Sequence, residues 1–306
     1  MTAAVPRYPP RVIEDAASLD FVLSQAPARP AEVRVVMADP AAFDVLYVIN
    51  PHMAGNIGGI DSSAARRQWD GVRAAYARCG YPVEVLEAVE GLPDLVFMAN
   101  QSFPGQLPDG RWAAVMSFMH NEQRRGEVPV VARWYQGRSA LTFPLVGGRE
   151  LHFEGMGDAA WVPGRRVVVG GHGYRTELAA YTHLSAIFDV PVLALELVDP
   201  RFYHADTCLQ LIDDQTALFV PEAFTAEGRA LLEAAFPRLR AVPVEEAVAG
   251  LSCNGHCPDG RHFIVQAGNP RTAAVAAGLG LEVIEVETGE FLKSGGSVFC
   301  MKLMLP

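Results

Sequence analysis

The chain has 306 residues, 50% of them hydrophobic and 20% charged, with a formal net charge of −10. This is an ordinary globular composition, long enough for one large domain or two smaller ones, and the acid excess argues against a nucleic-acid surface. No apolar run reaches the length of about 18 residues that a membrane helix needs, and Met1 to Pro10 lack the charged and apolar regions of a secretory signal.

In chain order, residues 1–32 read as an Ala/Pro-rich extension, with a short helix from Ser18 to Gln25 that packs on the body. The body, 33–306, reads as a single domain. Val33 to Met37 predicts a strand ended by Asp39-Pro40, and Tyr47 to Asn56 a strand running into a Gly-rich loop. Asp61 or Ser62 caps a helix whose apolar residues Ala65, Trp69, Val72 and Tyr76 recur every three or four positions, until Gly80 stops it. Strands follow at Val83 to Leu86, Leu95 to Met98, Trp112 to Phe118 and Ala140 to Val146, with a helical stretch from Asn121 to Gln136. Hairpins are expected at Ala159 to Gly170, at Cys208 to Val220, and around Asp259-Gly260 with Phe263 to Gln266 returning. Helices are expected at Glu177 to Phe188, Ala226 to Phe236 and Arg271 to Leu279. Strands are expected at Val192 to Leu197, Arg240 to Val244, Glu282 to Val286 and Val298 to Leu303.

A strand–strand–helix–strand unit of about 50 residues thus recurs close to five times, by order of elements rather than by letters. That period means a solenoid, a propeller or a closed ring of blades. The hairpins inside each unit exclude a purely parallel sheet. Five blades around an axis would gather the strand ends of one side into a central cavity. Polar residues far apart in sequence should then converge there.

Four polar clusters sit at such ends: Pro93-Asp94-Leu95-Val96-Phe97-Met98-Ala99-Asn100, Phe153-Glu154-Gly155-Met156-Gly157-Asp158, Phe202-Tyr203-His204-Ala205-Asp206-Thr207, and Ser294-Gly295-Gly296-Ser297-Val298-Phe299-Cys300. Taken singly each has a bland reading. Glu154 is then a surface carboxylate, His204 and Asp206 a structural pair, and Cys300 a small buried hydrophobe.

Together, in this order, they resemble the guanidino-group-modifying superfamily of arginine deiminases, dimethylarginine dimethylaminohydrolases, arginine dihydrolases and amidinotransferases. The resemblance covers residues 33–304 and includes Ile49-Asn50-Pro51 with Met53 and the segment Gln123 to Glu127. It implies a five-bladed α/β propeller (pentein), a cofactor-free and metal-free hydrolase, and a cytoplasmic home. The partner it implies is a small guanidino substrate such as arginine or a methylated arginine, with no nucleic acid or membrane; homo-oligomer formation is left open. It implies that Cys300 is the nucleophile forming an S-alkyl thiouronium, that His204 is the acid and base, and that Glu154 orients His204. Asp206 would accept from the guanidinium fork and Arg124 would grip a substrate carboxylate. Asn50, Asn100, Asp94, Asp158 and Gly296 complete the expected substrate-binding set.

Asn100 departs from the aspartate usual in arginine deiminases. An amide donates as well as accepts and suits a neutral urea oxygen. With Asn50 it resembles the arginine dihydrolase branch, which takes arginine to ornithine, carbon dioxide and ammonia. His52 departs from the tryptophan usual in that branch, and Gln101 and Ser102 from its small residues, which leaves the dimethylaminohydrolase and deiminase readings open. An amidinotransferase is disfavoured by a glutamate at position 154, and a non-catalytic binding protein by the joint presence of Cys300, His204 and Glu154.

Two other motifs carry less. Cys253-Asn254-Gly255-His256-Cys257 has no second cysteine pair for a tetrahedral zinc site and reads as a loop over the cavity, Asn254 a wall residue. Gly170-Gly171-His172-Gly173 lacks the Lys-Ser/Thr of a phosphate loop. His120, His152 and His183 are read as surface or core histidines. The five cysteines (Cys79, Cys208, Cys253, Cys257 and Cys300) are an odd set for a disulfide scaffold and are expected reduced.

Overall fold

A computed structural model describes residues 8–138, 140–144 and 151–305. It is an α/β fold, and the strands among the described residues form five sheets. Four of them repeat one pattern: an antiparallel pair, then a helix, then a strand parallel to the second. In one sheet Ser102–Gln106 pairs antiparallel with Trp112–Met116, which pairs parallel with Leu141–Pro144 across helix Glu127–Gln136. Ala159–Trp161, Val168–His172 and Pro191–Glu196 repeat it with helix Leu178–Phe188. Leu209–Leu211, Thr216–Phe219 and Arg238–Ala241 repeat it with helix Ala226–Ala235. In the fifth sheet the first strand shrinks to a single bridge, His256 with Ile264, before the parallel pair His262–Gln266 and Glu282–Val286.

The remaining unit is built from both ends of the chain. Arg34–Ala38 pairs parallel with Val83–Leu86 across helix Ser62–Arg78, and its antiparallel neighbour is Leu303–Leu305. This pairing brings the segment around Cys300 against the body. The helix starts where Asp61 accepts the Ala64 amide and ends beside Gly80, whose φ of 89° is the left-handed region that glycine enters freely. The lead-in is not separate: Arg11–Ile13 adds a parallel strand to the edge of Pro191–Glu196. The helix expected from Ser18 to Gln25 is replaced by two single 3-10 turns, Ala16–Ser18 and Leu23–Gln25.

The other departures cluster where the sheets end. Leu95 to Met98 is not a strand, because Pro93 opens the 3-10 turn Pro93–Val96. Tyr47 to Asn56 is not extended either; Asn50 caps the turn Pro51–Met53. Val298 to Met301 is a turn, and only Leu303–Leu305 of the expected last strand forms. The strand expected at Arg240 to Val244 ends at Ala241, and Pro243 caps an unexpected helix, Val244–Gly250. Val146, the expected end of an earlier strand, lies outside the described residues. All five cysteines are free. No described helix is long and apolar enough to cross a membrane.

Candidate active site

Three of the four clusters line one small cavity of about 20 Å³, bordered by Asn50, Asp94, Asn100, Arg124, His204, Gly296 and Cys300 together with Arg175 and Tyr203, and the fourth reaches it through the contact of Glu154 with His204.

Cys300 sits in a tight turn that Asn254 organises. The Asn254 Oδ1 accepts the amides of Ser297 and Cys300 at 3.0 and 3.2 Å, which is why the chain turns here instead of continuing as a strand. Its Nδ2 donates to the Asp206 carbonyl and to the Cys300 Sγ, both at 3.1 Å. Leu251, at the mouth of this loop, holds a φ of 45°, a strained conformation for a branched residue. The thiol itself lies 3.1 Å from Asp206 Oδ2. Burial, then the Asp206 charge, push Cys300 well above the ordinary thiol range. Burial also pushes Asp206 up to about 7, against the hydrogen bonds from Cys300 and Asn254. The other carboxylate oxygen, Oδ1, is buried and has no partner.

His204 Nε2 lies 2.6 Å from Glu154 Oε2. That bond leaves Nδ1 as the ring nitrogen available for proton transfer. Glu154 is fully buried, yet it also takes Arg175 Nη1 at 3.1 Å and the His120 amide at 3.0 Å. Burial opposes its charge, but Arg175 and His204 outweigh it and hold the carboxyl well below the usual range. Arg175 is fixed in turn by the Ile49 carbonyl at 2.7 Å and stacks over Tyr203 at 4.9 Å. Glu154 is aimed by its neighbour: Gly155 has φ 57°, and a side chain there would collide with the carbonyls of Ala99, Asn100 and Ser102.

Asn100 is 2% exposed. Its Oδ1 accepts Arg124 Nη1 at 3.1 Å, and that contact fixes which way the amide faces. Its Nδ2 is then a buried donor without a partner.

Several expected contacts are placed otherwise. Arg124, expected to grip a substrate carboxylate, makes a fork on Glu127, at 3.0 Å through Nε and 2.8 Å through Nη2, because the 3-10 turn Glu122–Arg124 ends three residues before Glu127, which opens the helix Glu127–Gln136. Its remaining contacts are Asn100 and the Asp94 carbonyl. Asn50 borders the cavity, but its Oδ1 caps the amides of His52 and Met53 and its Nδ2 donates to the Ser294 carbonyl, so the expected second free amide is already used. Asp158 does not line this cavity. Its oxygens accept Thr176 Oγ1 at 2.7 Å and the Ala205 amide at 3.0 Å, which braces the His204 segment, and burial pushes it up to about 6. Asp94 lines the cavity with both oxygens occupied, by Tyr47 and Ser294. Gly296 lines the cavity, and a Cβ there would overlap the Phe97 ring.

Arg175 was not singled out from the sequence, and Asn254 only as wall. The signal for Arg175 was a lone arginine just after strand Val168–His172, at a strand end like the other clusters. Among the described residues no group of three or more His, Cys, Asp and Glu side chains is placed to hold a metal. Within the cysteine loop His256 Nδ1 instead meets Tyr76 Oη at 3.0 Å.

No protein-family model matches the chain. It is 36% identical over 281 residues to the N(G),N(G)-dimethylarginine dimethylaminohydrolase of Mycobacterium tuberculosis, covering 91% of this chain and 88% of that protein. It is 33% identical over 274 residues to the bifunctional arginine dihydrolase/ornithine cyclodeaminase AgrE of a Nostoc species, covering 89% of this chain but only 38% of AgrE. Among solved structures, it matches a cysteine-to-serine mutant of the N-terminal domain of ArgZ, an arginine dihydrolase from the ornithine–ammonia cycle in cyanobacteria, bound to substrate. The TM-score is 0.83 at 30% identity, over 90% of this chain and 98% of that one.

Proposed function

The chain belongs to the guanidino-group-modifying superfamily that holds the dimethylarginine dimethylaminohydrolases and arginine dihydrolases, and from that premise we propose that it is an arginine dihydrolase working through Cys300. Its reaction class is hydrolysis of a guanidino C–N bond. The observation that carries the finer reading is the Asn100 amide: Arg124 takes its oxygen, which leaves Nδ2 an unpartnered donor on a residue that lines the Cys300 cavity. A donor there suits the ureido oxygen that appears after the first hydrolysis. A carboxylate there would repel that oxygen.

In this reading the guanidinium enters between Asp206 and Cys300 and presents N–H groups to the Asp206 carboxylate. Its positive charge lowers the cost of ionising the thiol, which the empty site holds protonated. The Sγ proton passes to His204 Nδ1 as the Sγ electron pair forms a bond to the guanidinium carbon. His204, held through Nε2 by Glu154, gives a proton from Nδ1 to the departing nitrogen as the C–N bond breaks. The thiouronium is then opened by water, whose proton returns to His204 while the C–S electrons return to Cys300. A second round on the retained ureido group would release ornithine, carbon dioxide and a second ammonia. The five sheets, with the last strand closing onto the first unit, support a five-bladed propeller with 33–306 as one catalytic domain and 1–32 as an extension on it.

Incubation with arginine and separation of products tests this. Ornithine with two ammonia per arginine is the expected outcome, and citrulline alone would replace the dihydrolase reading with a deiminase. The second reading is a dimethylarginine dimethylaminohydrolase, favoured by the 36% identity to the mycobacterial enzyme over nearly its whole length. Dimethylamine released from methylated arginine, with arginine untouched, would install it. Asn100→Asp keeps an acceptor for Arg124 and deletes the donor, so it should move the products toward citrulline; an unchanged ratio would remove the argument from the amide.

A further inference from the structure

A second cavity, of about 500 Å³, is bordered by Gly157, Asp206, Gln210, His256, Phe299 and Lys302. It shares no lining residue with the cavity of Cys300. Asp206 stands between the two. Its Oδ2 receives the Cys300 thiol, while it also borders the second cavity, and its Oδ1 is without a partner.

Lys302 supplies the other unpartnered group on this second cavity. It lies two residues beyond Cys300 and is 0% exposed, and its Nζ has no hydrogen-bond partner. It lies over the Phe299 ring, at 3.3 Å from the centroid. The other buried cations have dedicated anions: Arg29 has Glu32, Arg124 has Glu127 and Arg175 has Glu154. A ring face alone is a weak substitute for water around a buried ammonium, so a carboxylate within reach is the natural counter-charge. The charges that bear on Lys302 are Glu32, Asp206 and Cys300, and its own charge also acts on His256. Those that bear on Asp206 are Lys302 and Arg124, alongside the hydrogen bonds from Cys300 and Asn254. Arg124 is neutralised by its own fork, and Glu32 is paired with Arg29.

We propose that Lys302 is a positioning residue for the reaction: across the second cavity its ammonium keeps Asp206 ionised, ready to receive the substrate cation. The inference rests on the reading of Asp206 as the guanidinium acceptor. Burial pushes Asp206 up to about 7 and Lys302 down to about 8, and each charge opposes that shift in the other, on Asp206 after the hydrogen bonds from Cys300 and Asn254 and on Lys302 after Glu32. With the ammonium removed, Asp206 would hold its proton to higher pH and the empty enzyme would present a neutral acid to a cation.

The test compares wild type, Lys302→Met and Lys302→Arg. The Asp206 carboxyl is titrated by carbon-13 NMR, assigned with Asp206→Asn, and kcat/KM for the guanidino substrate is measured from pH 5.5 to 9. Lys302→Met should raise the Asp206 titration and the acid limb of kcat/KM by about half a pH unit or more, about threefold in kcat/KM at pH 6.5, with kcat at saturation less affected. Lys302→Arg should restore both. An Asp206 titration that does not move in a folded Lys302→Met protein overturns the inference, as does an arginine variant as defective as the methionine one, which would mean packing. A moved titration in a protein that turns over no guanidino compound overturns the proposed function instead.

Discussion

Replacing Asp206 by asparagine should stabilise the protein while disabling it. The carboxyl is fully buried with one oxygen unpartnered, and burial raises it from 3.8 to about 7. That is a shift of about 3 units, and at about 1.4 kcal/mol per unit the ionised group costs the folded state up to about 4 kcal/mol. The folded state binds this proton more tightly than the unfolded chain. The penalty is therefore absent below about pH 4, grows as pH rises, and is complete once pH has passed about 7. Asparagine has the same shape and no charge but must itself be desolvated, which leaves a net gain of about 2 kcal/mol at pH 8 and about none at pH 4. Urea unfolding of both proteins at the two pH values reads this difference together with the change at Lys302 and Cys300, which lose the Asp206 charge in the variant. In the same variant kcat/KM should fall by about a hundredfold or more, because the cation loses its buried counter-charge. A variant equally destabilised at both pH values would refute the reasoning: Asp206 would then be a structural hydrogen-bonding group, not a strained carboxylate kept for a ligand.

Asn254→Ala removes the acceptor for two amides of the Cys300 turn and the donor to its sulfur. It should cost about 3 kcal/mol in denaturant unfolding and slow alkylation of Cys300 by iodoacetamide at fixed pH. Arg175→Gln leaves Glu154 buried with less counter-charge. The expected loss is about 3 kcal/mol of stability, and the acid limb of the rate profile should move to higher pH as Glu154 becomes easier to protonate. Gly157→Ala sets a methyl into the Asn100 amide, beside His204. It should lower kcat more than stability, and equal losses in both would mean that the loop simply shifts.

The sequence by itself determined the repeating order of elements, because strand alternation and helix stops such as Gly80 are local properties of a few neighbouring residues. It also joined Cys300, His204, Glu154, Asn100 and Asp206 into one set, through the family resemblance that their polar clusters carry together in this order. The errors in secondary structure fall where local pattern and site compete. Leu95 to Met98 and Val298 to Met301 are apolar enough for strands, but Pro93 and the Asn254 cap turn them. What only the tertiary structure decided is which polar atoms are already used. Arg124 and Asn50 have the right chemistry for a ligand, yet Glu127 and the Pro51–Met53 turn consume it. Arg175, Asn254 and Lys302 act on groups far away in the chain, Arg175 on the Ile49 carbonyl 126 residues off and Lys302 on Asp206. A sequence states how many donors and acceptors a chain carries. Which of them remain unpaired in the buried interior, as Asn100 Nδ2 and Asp206 Oδ1 do, follows only from how the sheets bring distant segments together.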